Sequence, residues 1–246
     1  MSASTLRIGV LMPEVLGTYG DSGNALILAE RARRRGIDAE VVHVGLNEEI
    51  PDSLDIYTLG GGEDTAQALA ADKFRGTSGL ARALDAGRPL LAICASLQVL
   101  GHWYEDARGV RVPGMGVLDI TTRPQGHRAI GELVCEPVLD GLTQTLTGFE
   151  NHGGGTVLGP DASPLGRVIS GVGNGTPQGE EAPEVRYDGA VQGSVIATYM
   201  HGPALARNPE LADLLLKRAT GATLEPLDVP GVAELRKERL AGIQLS

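Results

Sequence analysis

Leu90-Leu91-Ala92-Ile93-Cys94-Ala95-Ser96-Leu97-Gln98 is an apolar run, a cysteine, a small residue and then helical spacing. Pro89 to Ile93 has the length and composition of a buried strand, and Ser96 to Trp103 has helical spacing. A strand that passes directly into a helix turns sharply between them, and the side chain at the turn is lifted above the sheet. The crowded turn needs a small neighbour, and Ala95 is one. At a helix N-terminus the dipole favours a thiolate, and the Ala95 N–H points where an oxyanion would develop. Cys94 therefore reads as a nucleophile. The other reading of a lone cysteine is an inert core thiol. Cys135 lies in an ordinary strand pattern and keeps that reading.

Outward from this turn, strand and helix alternate. Leu6 to Met12, Ala39 to Val44 and Asp55 to Leu59 read as strands. Asn24 to Arg35, Asp64 to Leu69 and Gly79 to Ala86 read as helices. The alternation predicts right-handed βαβ crossovers and an α/β fold with a mostly parallel sheet flanked by helices. Such sheets carry their sites at the carboxyl ends of the strands. Cys94 falls at one such end and Gly60-Gly61-Gly62 at another.

From Thr121 to Ile196 the pattern changes to short β-like stretches separated by glycine: Glu132 to Cys135, Thr145 to Phe149 and Arg167 to Ser170. These predict an antiparallel extension of the sheet. Gly171 to Pro183 reads as a loop. Val195 to Tyr199 is a further strand ending at His201, and Pro209 to Thr220 a helix. Residues 221–246 form a tail in which Val232 to Leu240 is a charged helix or a partly ordered terminus. With no internal repeat or linker, residues 1–246 are expected to form one domain, its core about 6–220.

The bulk numbers exclude several functions. The chain has 246 residues, 42% of them hydrophobic, enough for a sizeable core. A formal net charge of −10 repels a phosphate backbone, and 3% aromatic residues cannot build a stacking platform, so nucleic acid is not an expected partner. Two cysteines make no disulfide framework. The start lacks a signal-peptide pattern and the apolar runs are strand length, so no membrane insertion and a cytoplasmic location are expected. No GxxxxGK[ST] loop occurs, so ATP activation of an acceptor would fall to another chain. The histidines and cysteines lack metal-ligand spacing, and no cofactor is expected.

A thiol that attacks an amide gains from a base that later protonates the leaving nitrogen. Of His43, His102, His127, His152 and His201, the best placed is His201, just past an apolar strand. His152, flanked by Gly153 and Gly154, could line a site; His43 and His102 read as structural.

Six stretches in this order resemble a class I glutamine amidotransferase of the cobyric-acid-synthase-like (CobB/CobQ-like) branch, over about Arg7 to Thr220. They are Tyr19-Gly20-Asp21-Ser22-Gly23-Asn24, Leu59-Gly60-Gly61-Gly62-Glu63-Asp64, Ile93-Cys94-Ala95-Ser96-Leu97-Gln98, His127-Arg128, Gly148-Phe149-Glu150-Asn151-His152-Gly153-Gly154 and Thr198-Tyr199-Met200-His201-Gly202-Pro203. Within that branch the likeness is to the glutaminase subunits of lipid II isoglutaminyl synthase. The resemblance implies that Cys94 attacks glutamine, that His201 is base and then acid, and that the Gly62 and Ala95 N–H groups form the oxyanion hole. It implies that Arg128 holds the α-carboxylate, as a bidentate guanidinium suits; Gln98 is implied to contact substrate or support the turn. Many class I amidotransferases place a glutamate two residues after the histidine, where this chain has Pro203. Asp21 is the candidate to orient His201, the other reading being an aspartate that only forms the loop turn.

The implied partner is a MurT-like, ATP-dependent subunit of the Mur-ligase family, in a heterodimer. It would use the ammonia to amidate the α-carboxyl of D-glutamate in the peptidoglycan stem peptide. Three alternatives stand beside this: another acceptor such as a cobyrinate-type substrate, a non-catalytic scaffold subunit, and a cysteine hydrolase of a different amide.

Overall fold

The computed structural model describes residues 5–76 and 78–241; residues 242–246 of the expected tail lie outside it. The first part runs β1 (Leu6–Leu11), α1 (Gly23–Arg33), β2 (Ala39–Val44), β3 (Ile56–Leu59), α2 (Asp64–Arg75), α3 (Gly79–Asp85), β4 (Leu90–Ile93) and α4 (Ala95–Leu100). Strands follow: β5 (Trp103–Glu105), β6 (Arg111–Pro113), β7 (Ile120–Pro137), β8 (Leu146–Leu158), β9 (Gly166–Ser170), β10 (Tyr187–Asp188), β11 (Ala190–Gln192) and β12 (Val195–Thr198). Three helices close the described chain, α5 (Ala204–Arg207), α6 (Pro209–Thr220) and α7 (Val232–Ala241). No described helix is long and apolar enough to cross a membrane.

The first sheet has the order β11-β12-β4-β3-β1-β2 and is parallel except for β11 at its edge. Strands β3, β4 and β12 are buried at every position, because helices cover both faces; hence their unbroken apolar runs. The chain leaves β1 for β2 on one side, and β3 returns on the other. That reversal opens a crevice at the carboxyl ends. Register then decides what lies there. Leu11 is level with Leu59, Leu59 with Ala92, and Ile93 with Thr198. The segments after β1, β3, β4 and β12 therefore emerge together, carrying Asp21, Gly60-Gly61-Gly62, Cys94 and His201.

The antiparallel part is divided. Only β11 extends the first sheet; the other strands form a second sheet, β10-β9-β7-β5-β6, with β8 also paired to β7. The short stretches expected at Glu132 to Cys135 and Thr145 to Phe149 are pieces of the long strands β7 and β8. Glycines break the side-chain alternation that would have signalled them, and they sit where other chain segments press close. A Cβ on Gly154 would lie 2.5 Å from Gln98 Nε2, and one on Gly155 2.5 Å from the Pro177 nitrogen. The helix expected to reach Trp103 stops at Leu100. Extended Gly101 follows it, and Trp103 lies in β5 with the Arg111 guanidinium 3.7 Å from its ring centre. Within the described part of the tail, Val232–Ala241 form helix α7, none of whose residues is buried. One hydrophobic cluster includes residues of both sheets, among them Ile8, Leu91, Leu133 and Leu146.

The sheets meet where β8 crosses the segment after β12. His201 N donates to Phe149 O at 2.8 Å, and a Cβ on Gly148 would lie 2.3 Å from Met200 Cβ and 3.0 Å from its Cα. Gly148→Ala is expected to cost about 1–3 kcal/mol by overpacking, read as a lowered midpoint in urea unfolding at an unchanged slope.

Candidate active site

The segment after β1 runs along the carboxyl edge of the first sheet, where Thr18 bridges to Gly61, and buries Asp21, which is 1% exposed. Its Oδ2 accepts from Gly61 N at 2.8 Å and from His201 Nδ1 at 2.8 Å, and Oδ1 accepts from Gly202 N at 3.3 Å. A carboxylate only accepts, so the His201 proton sits on Nδ1 and Nε2 faces the other way. His201 is equally buried, and its Nε2 has no hydrogen-bond partner among the described residues. The Cys94 sulfur lies near enough for its charge to act on the ring. Burial opposes a charged imidazole here. Hydrogen bonding to Asp21, interaction with the sulfur and the negative charge on both outweigh it, pushing the His201 pKa up to about 10.

Cys94 stands between β4 and α4 with φ 52° and ψ −105°, a conformation that L side chains rarely adopt. The strain is held by the Cys94 N–H donating to Thr198 O on β12 at 2.9 Å and by Gln98 N donating to Cys94 O at 3.2 Å. Cys94 is 8% exposed and borders a cleft of about 230 Å³. Gly62, Ala95, Gln98, Arg128 and His152 border the same cleft. Among the described residues, neither the Gly62 nor the Ala95 N–H has an acceptor. The glycine run is a matter of space: a Cβ on Gly60 would lie 2.3 Å from Leu16 O, and one on Gly61 2.6 Å from His201 Cε1.

Arg128 reaches the cleft through an irregularity in β7. Pairing passes from Pro124–Gly154 to Ala129–His152, so four residues stand opposite Gly153 alone, and the strand bulges outward. The guanidinium is exposed and pairs with no carboxylate among the described residues; its Nε donates to Asn151 Oδ1. Gln98 is held on both sides, accepting from Gln67 Nε2 at 2.7 Å and donating to the Tyr199 hydroxyl at 3.1 Å. Tyr199 in turn bonds Thr156 Oγ1 at 2.7 Å, and the His152 ring stacks on it at 3.8 Å. Gln98 thus supports the floor of the cleft.

The structure brings together every site residue read from the sequence: Cys94, His201, Asp21, Gly62, Ala95, Arg128 and Gln98. Cys135 lies apart, fully buried, its thiol pushed well up by burial and by Asp188 and Glu150 nearby. His43 is exposed on β2, and His102 bonds Asp119 Oδ1 at 2.9 Å. Sequence reasoning assigned no role to Tyr19, Asn151 or Tyr199. Their motifs were visible, but no periodicity says that residues so far apart in the chain meet.

Fold and site together define a class I glutamine amidotransferase architecture, and the comparisons agree. The chain belongs to the CobB/CobQ-like glutamine amidotransferase domain family, which matches residues 7–209. It is 35% identical to the GatD subunit of the glutamine-hydrolyzing lipid II isoglutaminyl synthase of Staphylococcus aureus strain N315, over 96% of this chain and 94% of the relative. The corresponding subunit from Streptococcus pneumoniae is 33% identical, over 96% and 89%. A probable cobyric acid synthase of Methanothermobacter thermautotrophicus matches at 35% over only 61% of this chain and 31% of the relative. A crystal structure of a glutamine amidotransferase superposes with a TM-score of 0.53 at 22% identity, covering 87% of this chain and 99% of that one, and supports the fold.

The raised His201 pKa has a sign. Below the unfolded value of 6.5 the ring is charged in both states, and the stabilising effect is fully present. As pH rises from 6.5 through about 10, only the folded state still holds the proton, and stability is progressively lost. In paired urea titrations at pH 6, 8 and 10, the wild type is expected to lose more stability with rising pH than His201→Gln.

Proposed function

We propose that this chain is the glutaminase subunit of a two-subunit amidotransferase and hydrolyses L-glutamine to glutamate and ammonia. The observation that carries this reading is the Asp21–His201 pair at 2.8 Å beside Cys94, over a cleft bordered by Arg128. Cys94 attacks the side-chain amide carbon as its thiolate, with the proton on His201. The oxygen that gains charge is met by the N–H groups of Gly62 and Ala95; in studied enzymes, losing one such donor raises the barrier by about 3–4 kcal/mol. His201 gives its proton to the amide nitrogen, the carbon–nitrogen bond breaks, and ammonia leaves a thioester. Acylation removes the sulfur charge that helped hold the His201 proton. The ring that acted as acid can then take a proton from water as the thioester is hydrolysed. Asp21 fixes the tautomer in both steps, in place of the glutamate that Pro203 displaces. Arg128 binds the α-carboxylate of glutamine, and Gln98 supports the cleft floor.

The ammonia serves a MurT-like, ATP-dependent subunit of the Mur-ligase family, joined to this chain in a cytoplasmic heterodimer. The acceptor is the α-carboxyl of D-glutamate in the lipid II stem peptide, a step of peptidoglycan synthesis. Near end-to-end likeness to two subunits of lipid II isoglutaminyl synthase supports this acceptor over a cobyrinate-type one, whose synthases match only in part.

Ammonia release from glutamine, measured with the partner present, tests the mechanism. Cys94→Ala and His201→Ala are expected to lower kcat by about 10³-fold or more, while Cys135→Ala retains wild-type activity. Asp21→Asn is expected to lower kcat by about 10²-fold with little change in KM, because a neutral amide removes the carboxylate charge that helps hold the His201 proton. Arg128→Ala is expected to raise KM. Full activity in Cys94→Ala would refute the mechanism.

A further inference from the structure

Asn151 on β8 bridges two groups at the mouth of the cleft. Its Oδ1 accepts from Arg128 Nε, and its Nδ2 donates to the Tyr19 hydroxyl. A guanidinium can only donate, so the amide oxygen must face Arg128 and the NH2 must face Tyr19. The bridge has one orientation. With Nε engaged, the two terminal nitrogens of Arg128 stay free as the fork that a carboxylate fits. Tyr19 lies in the same loop as Asp21, with a backbone φ of 59° that a tyrosine rarely adopts. Its ring meets His201 edge-on, with centres 4.9 Å apart, and also packs near Phe149. One continuous path thus runs from Arg128 through Asn151 and Tyr19 to the ring of His201. No other group among the described residues hydrogen-bonds to the Arg128 guanidinium.

From this geometry we infer that Asn151 is a positioning residue of the glutamine site. It holds Arg128 in the orientation that receives the α-carboxylate and, through Tyr19, ties that grip to His201. The inference rests on the glutaminase reading and deepens it. Arg128 is exposed and sits on a bulge, so without the bridge the guanidinium would sample many rotamers, and ordering it would weaken substrate binding. Asn151 acts through Arg128 and has no role of its own once Arg128 is gone.

The test is a double-mutant cycle on the complex of this chain with its ATP-using partner, reading KM and kcat for ammonia release from L-glutamine. Asn151→Ala is expected to raise KM roughly tenfold, the effect of one charge-assisted hydrogen bond in an open cleft. In the Arg128→Ala background the same change is expected to raise KM less than about twofold. Tyr19→Phe keeps the ring on His201 and removes the oxygen, so it raises KM with kcat within about twofold. It also remains informative if Asn151→Ala does not fold. An unmoved KM in both Asn151→Ala and Tyr19→Phe would overturn the inference, as would effects of Asn151 and Arg128 that simply multiply. Absence of Cys94-dependent ammonia release from the wild-type complex would instead overturn the glutaminase reading itself.

Discussion

Asp21 and His201 share a hydrogen bond in a place almost closed to water, and much of the surrounding structure is arranged around it. A carboxylate buried this deeply is costly unless its oxygens are satisfied. Here they accept from His201, from the Gly61 N–H and from the Gly202 N–H. The three donors come from the ends of two strands, with β4 lying between them. The pair therefore closes the crevice at the carboxyl edge of the sheet as well as orienting an imidazole. It also explains why a side chain is excluded at Gly61: the space a Cβ would need is occupied by the ring that Asp21 holds.

Cys94 shows the complementary constraint. Its φ of 52° is unfavourable for a side-chain-bearing residue, and the strands on either side over-determine it. The preceding strand is buried on all sides, and the cysteine N–H is bonded to β12. What that strain achieves is position: the sulfur stands at the head of a helix, at the edge of the cleft and beside the ring whose proton it helps to hold. Cys135, inside strand β7, is the contrast: a fully buried thiol whose pKa burial pushes well up.

The second sheet supplies the other half of the cleft by close approach. Gly154 lets β8 come against Gln98, and Gly148 lets it pass Met200 on the way to His201. The chain of Gln67, Gln98, Tyr199, Thr156 and Thr122 carries polar groups under the cleft with each hydroxyl partnered within the chain. These contacts join residues more than thirty positions apart, and Asn151 and His152 of β8 border the same cleft as Cys94.

The alternation of apolar strands and helices, the small residue after Cys94 and the glycine run after β3 are local features. Local sterics and burial are enough to derive a parallel sheet with a cysteine at a strand end from them. Cys94, Ala95, Gly62 and His201 were legible for the same reason, since each lies at or just past the end of an element the pattern reveals, whereas Asp21, Arg128 and Gln98 were read from the resemblance of their motifs. Other things depended on tertiary structure. Glycines hid β7 and β8 because the closeness they permit is with distant segments. Trp103 followed helical spacing until Gly101 ended the helix. Asp21 read equally well as a turn former or as a partner of His201, and only the register of β1, β3, β4 and β12 brings its carboxylate to the ring. The bulge that exposes Arg128, and the bridge from it to Tyr19, were likewise decided only in three dimensions. Residue types and local order are written along the chain; which strand ends stand level, and which side chains then meet across them, is set by pairing between segments far apart in it.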